Sequence, residues 1–90
     1  MSLTNFASGV KFEHVTKAIE IRSLVRKISR DIVVHNYGGW YHLAVDGEIF
    51  MDISEKYAIV RNKSQRCYTN KILAGLGTGI RITRDWMVDR

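Results

Sequence analysis

Two dipeptides, Gly38-Gly39 and Asp46-Gly47, cut the middle of the chain into the runs Ile32–Tyr37, Trp40–Val45 and Glu48–Ile53. Gly-Gly and Asp-Gly supply the positive φ angles that two-residue hairpin turns require, and the runs between them are rich in β-branched and aromatic residues. The segment is therefore expected to be an antiparallel meander. Counting outward from each turn sets Tyr37 against Trp40, His35 against His42 and Val33 against Ala44. The second turn sets Ala44 against Ile49, His42 against Met51 and Trp40 against Ile53. One face then carries Val33, His35, Tyr37, Trp40, His42, Ala44, Ile49, Met51 and Ile53 with no formal charge, and it is the expected core face. The other mixes Ile32, Val34, Tyr41, Leu43 and Phe50 with Glu48 and Asp52. It is too apolar to lie wholly in water, so another element or a partner is expected to cover it.

Helical periodicity flanks this meander. Over residues 15–30, Ala18, Ile21, Leu24, Val25 and Ile28 fall in one stripe at a 3.6-residue repeat, with Thr16 as the expected N-cap. A second helix is expected from an N-cap at Ser64 to about Gly75, with Tyr68, Ile72 and Leu76 as its apolar line. Val10–His14 reads as a short strand, Tyr57–Arg61 as a fourth short strand or a link, and Gly79–Val88 as a closing strand in which Ile80 and Ile82 alternate with Arg81 and Thr83. Residues 1–9 read as a loose arm and 10–90 as one domain. The fold class is α+β: a three- to five-stranded antiparallel meander packed by two helices, in the order (β)-α-β-β-β-(β)-α-β. The α-β-β-β-α core order is shared in outline by double-stranded-RNA-binding domains, a topological analogy with no motif behind it.

Charge is blocked along the chain. Seven bases and no acid lie between Lys56 and Arg84, and five acids with no lysine or arginine between Asp31 and Glu55. From Lys17 to Arg30 there are five bases against Glu20 alone, and the chain's formal net charge is +5. Segregation of this kind makes a basic face, which suits a polyanion or an acidic protein surface. Arg22, Arg26 and Arg30 stand at i, i+4 and i+8 with Lys27 beside them. Arg61, Lys63, Arg66 and Lys71 form a second group. Like charges four apart on a helix repel, so something is expected to neutralise the first stripe. The acidic block of the same fold and a row of phosphates are the two candidates.

Other constellations carry less chemistry. His35 and His42 are expected cross-strand neighbours, but a zinc site wants three protein ligands, and His14 joins them only if the first strand lies alongside. Gly75-Leu76-Gly77-Thr78-Gly79 follows a helix and precedes a strand, the reverse of a phosphate-cradling loop, and reads as a helix C-cap and connector. The single Cys67 excludes an internal disulfide, and no positioned base marks it as a nucleophile. Tyr57, Tyr68 and Trp86 interleave with the basic residues, where they either stack bases or pack the core. No metal and no cofactor is expected.

No apolar run approaches the ~18 residues a membrane span needs, and the start lacks the features of a signal peptide. A cytoplasmic protein without a membrane partner is the expectation. The leading expectation is a small, non-enzymatic, basic protein that contacts the nucleic-acid backbone, DNA or RNA, through Arg22, Arg26, Lys27, Arg30, Arg61, Lys63, Arg66 and Lys71. The alternative is an inhibitor or adaptor of the viral or mobile-element kind, gripping an acidic protein or nucleoprotein surface, with Tyr41, Leu43 and Phe50 as the partner contact or a homodimer seam. A toxin-type endoribonuclease built on Arg61, Arg81, His42 and Tyr57 is the third.

Overall fold

A computed structural model describes residues 9–14 and 20–86. Its elements are β1 (Val10–Glu13), α1 (Ile21–Ile28), β2 (Val33–Tyr37), β3 (Trp40–Val45), β4 (Glu48–Ile53), β5 (Tyr57–Val60) and α2 (Arg66–Leu76). The five strands make one sheet in the order β1-β5-β4-β3-β2, antiparallel at every pairing. The α+β meander read from the two glycine turns is thus present, and Tyr57–Val60 is its fourth strand. Gly38, Gly39 and Gly47 have positive φ, as does Asp46 at 55°, the backbone that primed hairpin turns demand. The Thr16 cap and Ala18 lie outside the described residues, as do residues 1–8 of the expected arm.

The helices cover one face of the sheet. Ile21 and Val25 of α1 and Ile72, Leu73 and Leu76 of α2 close over Leu43, Phe50, Met51, Ile53, Ala58 and Val60. Each large side chain withdrawn from water in this way contributes about 1.5–3 kcal/mol. The core face is therefore the one carrying Leu43 and Phe50, and the expectation that Val33, His35 and Tyr37 face the core is overturned. Val33 is 49% and Tyr37 64% exposed.

Met51 and Ile53, expected on the same face as Val33 and Tyr37, are nevertheless in the core, and a β-bulge in β4 is what puts them there. Register between β3 and β4 shifts at Leu43/Ala44, so that Leu43 pairs with Met51 and Ala44 with Ile49, leaving Phe50 as the extra residue. A bulge lets two neighbours turn to the same side; Phe50 and Met51 both enter the core, fully buried. Beyond the bulge every β4 residue changes face relative to a regular ladder. Asp52, not Met51, lies opposite His42, and Tyr41, not Trp40, lies opposite Ile53. The acid that argued against the Leu43 face is on the other one.

Three further expectations are corrected. Leu43 and Phe50 are fully buried beneath the helices, so they form no partner surface or dimer seam; half-buried Tyr41 packs at the margin of the same core. Residues 79–86 form no strand: the backbone N–H and C=O of Ile82 bond the Asn70 side chain at 2.6 and 2.9 Å, which docks the segment on α2. The residue preceding α2 is Gln65, with no side-chain cap, because Ser64 is drawn into a turn whose N–H donates to Asn62 Oδ1 at 2.9 Å. At its other end α2 runs one residue past the expected Gly75, to Leu76, and stops within the glycine-rich stretch read as its C-cap, at Gly77 in the left-handed region (φ 79°), with Thr78 N–H reaching back to the Leu73 carbonyl.

Candidate nucleic-acid interface

Helix α1 sorts its side chains by face. Ile21 and Val25 are buried, Leu24 and Ile28 half-buried, and Arg22, Ser23, Arg26 and Lys27 exposed. The helix ends at Ser29, whose extended backbone (φ −167°, ψ 144°) turns the chain toward β2. Ser29 fixes that corner twice. Its hydroxyl accepts from Asp31 N–H at 2.9 Å and donates to the Tyr68 hydroxyl of α2 at 3.2 Å. The turn leaves a hollow of about 350 Å³ between helix and sheet, lined by Arg22, Val25, Arg26, Ser29, Arg30, Ile32 and Val34. Its floor is apolar and its rim carries three guanidinium groups.

No carboxylate among the described residues pairs with Arg22, Arg26 or Arg30; the ion pairs there are made by other groups. Arg22 instead lies over the Tyr41 ring, 5.7 Å from its centroid, a cation–π contact that holds the guanidinium at the groove without neutralising it. Arg22 and Arg26 are a like-charged pair four apart on α1, which costs about 0.2–0.5 kcal/mol, while Arg30 lies beyond the helix end. Arg26 and Lys27 recover part of this by lying in the last helical turn, where the macrodipole favours cations.

The acidic block does neutralise one base, Arg61. Arg61 donates to Asp52 Oδ2 at 2.6 Å, while His42 Nδ1 lies 2.6 Å from Asp52 Oδ1. A carboxylate only accepts, so Nδ1 carries the proton of that bond. His42 and Asp52 are buried, at 3% and 1% exposure, whereas the Arg61 side chain reaches the surface at 27%. His42 Nε2 is buried without a hydrogen-bond partner among the described residues. This is a closed network spanning β3, β4 and the end of β5. It gives Arg61 a carboxylate partner within the fold, which Arg22, Arg26 and Arg30 lack among the described residues.

The other residues singled out in the sequence separate in space. Lys27 lies on the far flank of α1, around a second hollow with Glu20, Ser23, Leu24 and Gly75. Lys63 donates to the Arg84 carbonyl at 2.9 Å. Arg66 opens α2 and Lys71 is exposed along it; neither lines the arginine groove. Of the eight basic residues read together, the fold gathers Arg22, Arg26 and Arg30.

The aromatics go to packing: Trp86 tilts on Phe12 at 5.6 Å, Tyr68 on Phe50 at 6.4 Å, and Tyr57 lies beneath the Lys11 ammonium at 4.5 Å. Of the endoribonuclease set, His42 and Arg61 meet, but through Asp52, with the imidazole buried. His35 is His42's cross-strand neighbour, as read, and is exposed. His14 joins neither; its Nε2 lies 3.0 Å from the Ser54 carbonyl. No group of three or more metal-ligating side chains forms among the described residues. Cys67 is free and exposed.

Asp52 as the hub of a buried network was not readable from sequence, since a regular ladder puts it on the opposite face from His42. The groove's apolar floor was equally hidden, because Ile32 and Val34 join Val25 only once α1 is laid beside β2. Among the described residues no helix is long and apolar enough to cross a membrane. No protein-family model, curated protein or solved structure matches the chain.

Proposed function

We propose that the chain is a binding protein that holds the phosphate backbone of a nucleic acid in the groove between α1 and β2. The observation that carries this is the set of three guanidinium groups, Arg22, Arg26 and Arg30, around one hollow with no carboxylate among the described residues to pair them. Self-repelling cations around a concavity are stabilised by an anion with several negative charges in a row, and guanidinium is suited to phosphate by its planar fork of donors. Contacts of this kind give affinity that falls steeply with salt and carry little base information. Val25, Ile32 and Val34 give the groove a floor for the apolar edge of a sugar.

An acidic protein partner fits this groove less well. The apolar anchor expected for it, Leu43 and Phe50, is inside the core, and interfaces between proteins draw most of their energy from such anchors.

The test is fluorescence anisotropy with labelled DNA and RNA, single- and double-stranded, over a salt series. Replacing Arg22, Arg26 and Arg30 with alanine is expected to weaken binding at least tenfold at ~50 mM salt and to flatten the log–log salt slope by about 3. Circular dichroism should be unchanged, since all three side chains are exposed. A triple variant that binds as the parent does would overturn the proposal.

A further inference from the structure

The two edges of the sheet differ. Edge strand β1 is four residues long and carries Lys11 and Glu13, the charges by which natural sheets blunt their edges. Edge strand β2 is Val33-Val34-His35-Asn36-Tyr37, without a formal charge, a proline or a bulge in its pairing with β3. The two large hydrophobic side chains that stand exposed among the described residues, Val33 and Tyr37, are both on it. Helix α1 does not close over this edge, since the groove lined by Ile32 and Val34 opens beside it.

Hydrogen-bond phase defines what this edge offers. Tyr37 and Trp40 close a two-residue turn, so they are a hydrogen-bonded pair, and so by alternation are His35/His42 and Val33/Ala44. The N–H and C=O groups of Val34 and Asn36 therefore point away from β3. No described segment pairs with β2 on that side.

We infer that β2 pairs antiparallel with β2 of a second copy of this chain, about a two-fold axis through His35. This inference stands independently of what the groove binds. Val34 of each copy then exchanges both backbone bonds with Asn36 of the other, which the outward phase of those residues requires. Of the registers that satisfy this phase, it is the one in which all five residues are paired. Val33 of each copy lies opposite Tyr37 of the other, an aromatic against a β-branched residue on one face, which is a favourable cross-strand pair. The strand can pair its backbone with its own copy along its whole length and bears no formal charge to repel that copy. The charged β1 edges cap the resulting sheet, so pairing closes at two copies.

Two features set the strength. A five-residue seam belongs to the small interfaces, below about 1,200 Å² in total, which are weak and transient. The arginine grooves of both copies also border the seam and oppose each other across the axis. Dimerisation is therefore expected to strengthen with salt, or with a polyanion lying along both grooves.

Sedimentation equilibrium over a protein concentration series tests this, for the parent in ~0.5 M salt and for parent and variants side by side at ~0.15 M. The parent is expected to double its weight-average mass with rising concentration. V33K/Y37K places lysine against lysine at both ends of the seam and should weaken dimerisation at least about tenfold. V33K/Y37E places lysine against glutamate at both ends and should return it to within about threefold of the parent. Within one copy these positions face Ala44 and Trp40, so neither variant adds an ion pair to the monomer. A parent that stays monomeric throughout overturns the proposal, including the case where the edge takes up a foreign strand-forming peptide instead. So does a V33K/Y37K variant that dimerises as the parent does. A V33K/Y37E variant as weak as V33K/Y37K overturns the axis through His35.

Discussion

Asp52 is a carboxylate at 1% exposure, tolerable because each of its oxygens is held at 2.6 Å, one by His42 and one by Arg61. Removing one member of a buried charged set costs far more than the set is worth as a whole. Asp52→Ala is expected to lower unfolding stability by about 3 kcal/mol in urea titrations. Replacing His42 and Asp52 with leucine and Arg61 with methionine together should come within about 1 kcal/mol of the parent. A single variant as stable as the parent would mean that the network is not holding β3, β4 and the end of β5 together. At this scale the sequence was a poor guide. His42 and Arg61 stood out by residue type, but their hub did not, because Phe50 as a bulge residue turns Asp52 to the opposite face. A run such as Ile49-Phe50-Met51, apolar at consecutive positions, is compatible with a regular strand and with a bulge alike.

Among the elements, those marked by local chemistry were legible. The glycine turns placed β2, β3 and β4 to within a residue, and the left-handed Gly77 ended α2. What failed was inference from alternation. Ile82 is buried while Arg81 and Thr83 are exposed, so the period of two was real; it reported a segment docked on α2 through Asn70, not a sheet ladder. The choice of core face failed for a related reason, since freedom from charge marked an exposed edge strand as well as a buried one. Strand β1 depends on a close approach that the sequence hinted at only by a glycine. A Cβ on Gly9 would lie 2.8 Å from the Val60 carbonyl oxygen and 2.8 Å from Ile59 Cγ2, and backbone cannot step aside. Gly9→Ala is expected to cost about 1–2 kcal/mol by overpacking. In a domain of this size that corresponds to a melting temperature lower by roughly 5–10 °C. An unchanged melting curve would show that the close approach at Gly9 is not one that β1 depends on.

Over the whole molecule, the helices close one face of the sheet and the charges sort by what the fold does with them. Arg61 is matched internally, Lys63 caps a carbonyl, and Lys27 turns to the far flank of α1. Arg22, Arg26 and Arg30 share a groove beside the bare edge of β2. The charge blocks in the sequence predicted a basic surface without its location, because linear segregation cannot say which bases find an acid. The most direct test of the groove is a titration of the full chain with a short single-stranded oligonucleotide, followed by backbone amide and arginine Nε–H resonances. The groove account predicts that Arg22, Arg26, Arg30, Ser29, Ile32 and Val34 shift together, with midpoints that move to higher ligand concentration as salt is raised. Shifts gathered on Arg66 and Lys71 with the groove silent, or no shift anywhere at ~50 mM salt, would contradict it.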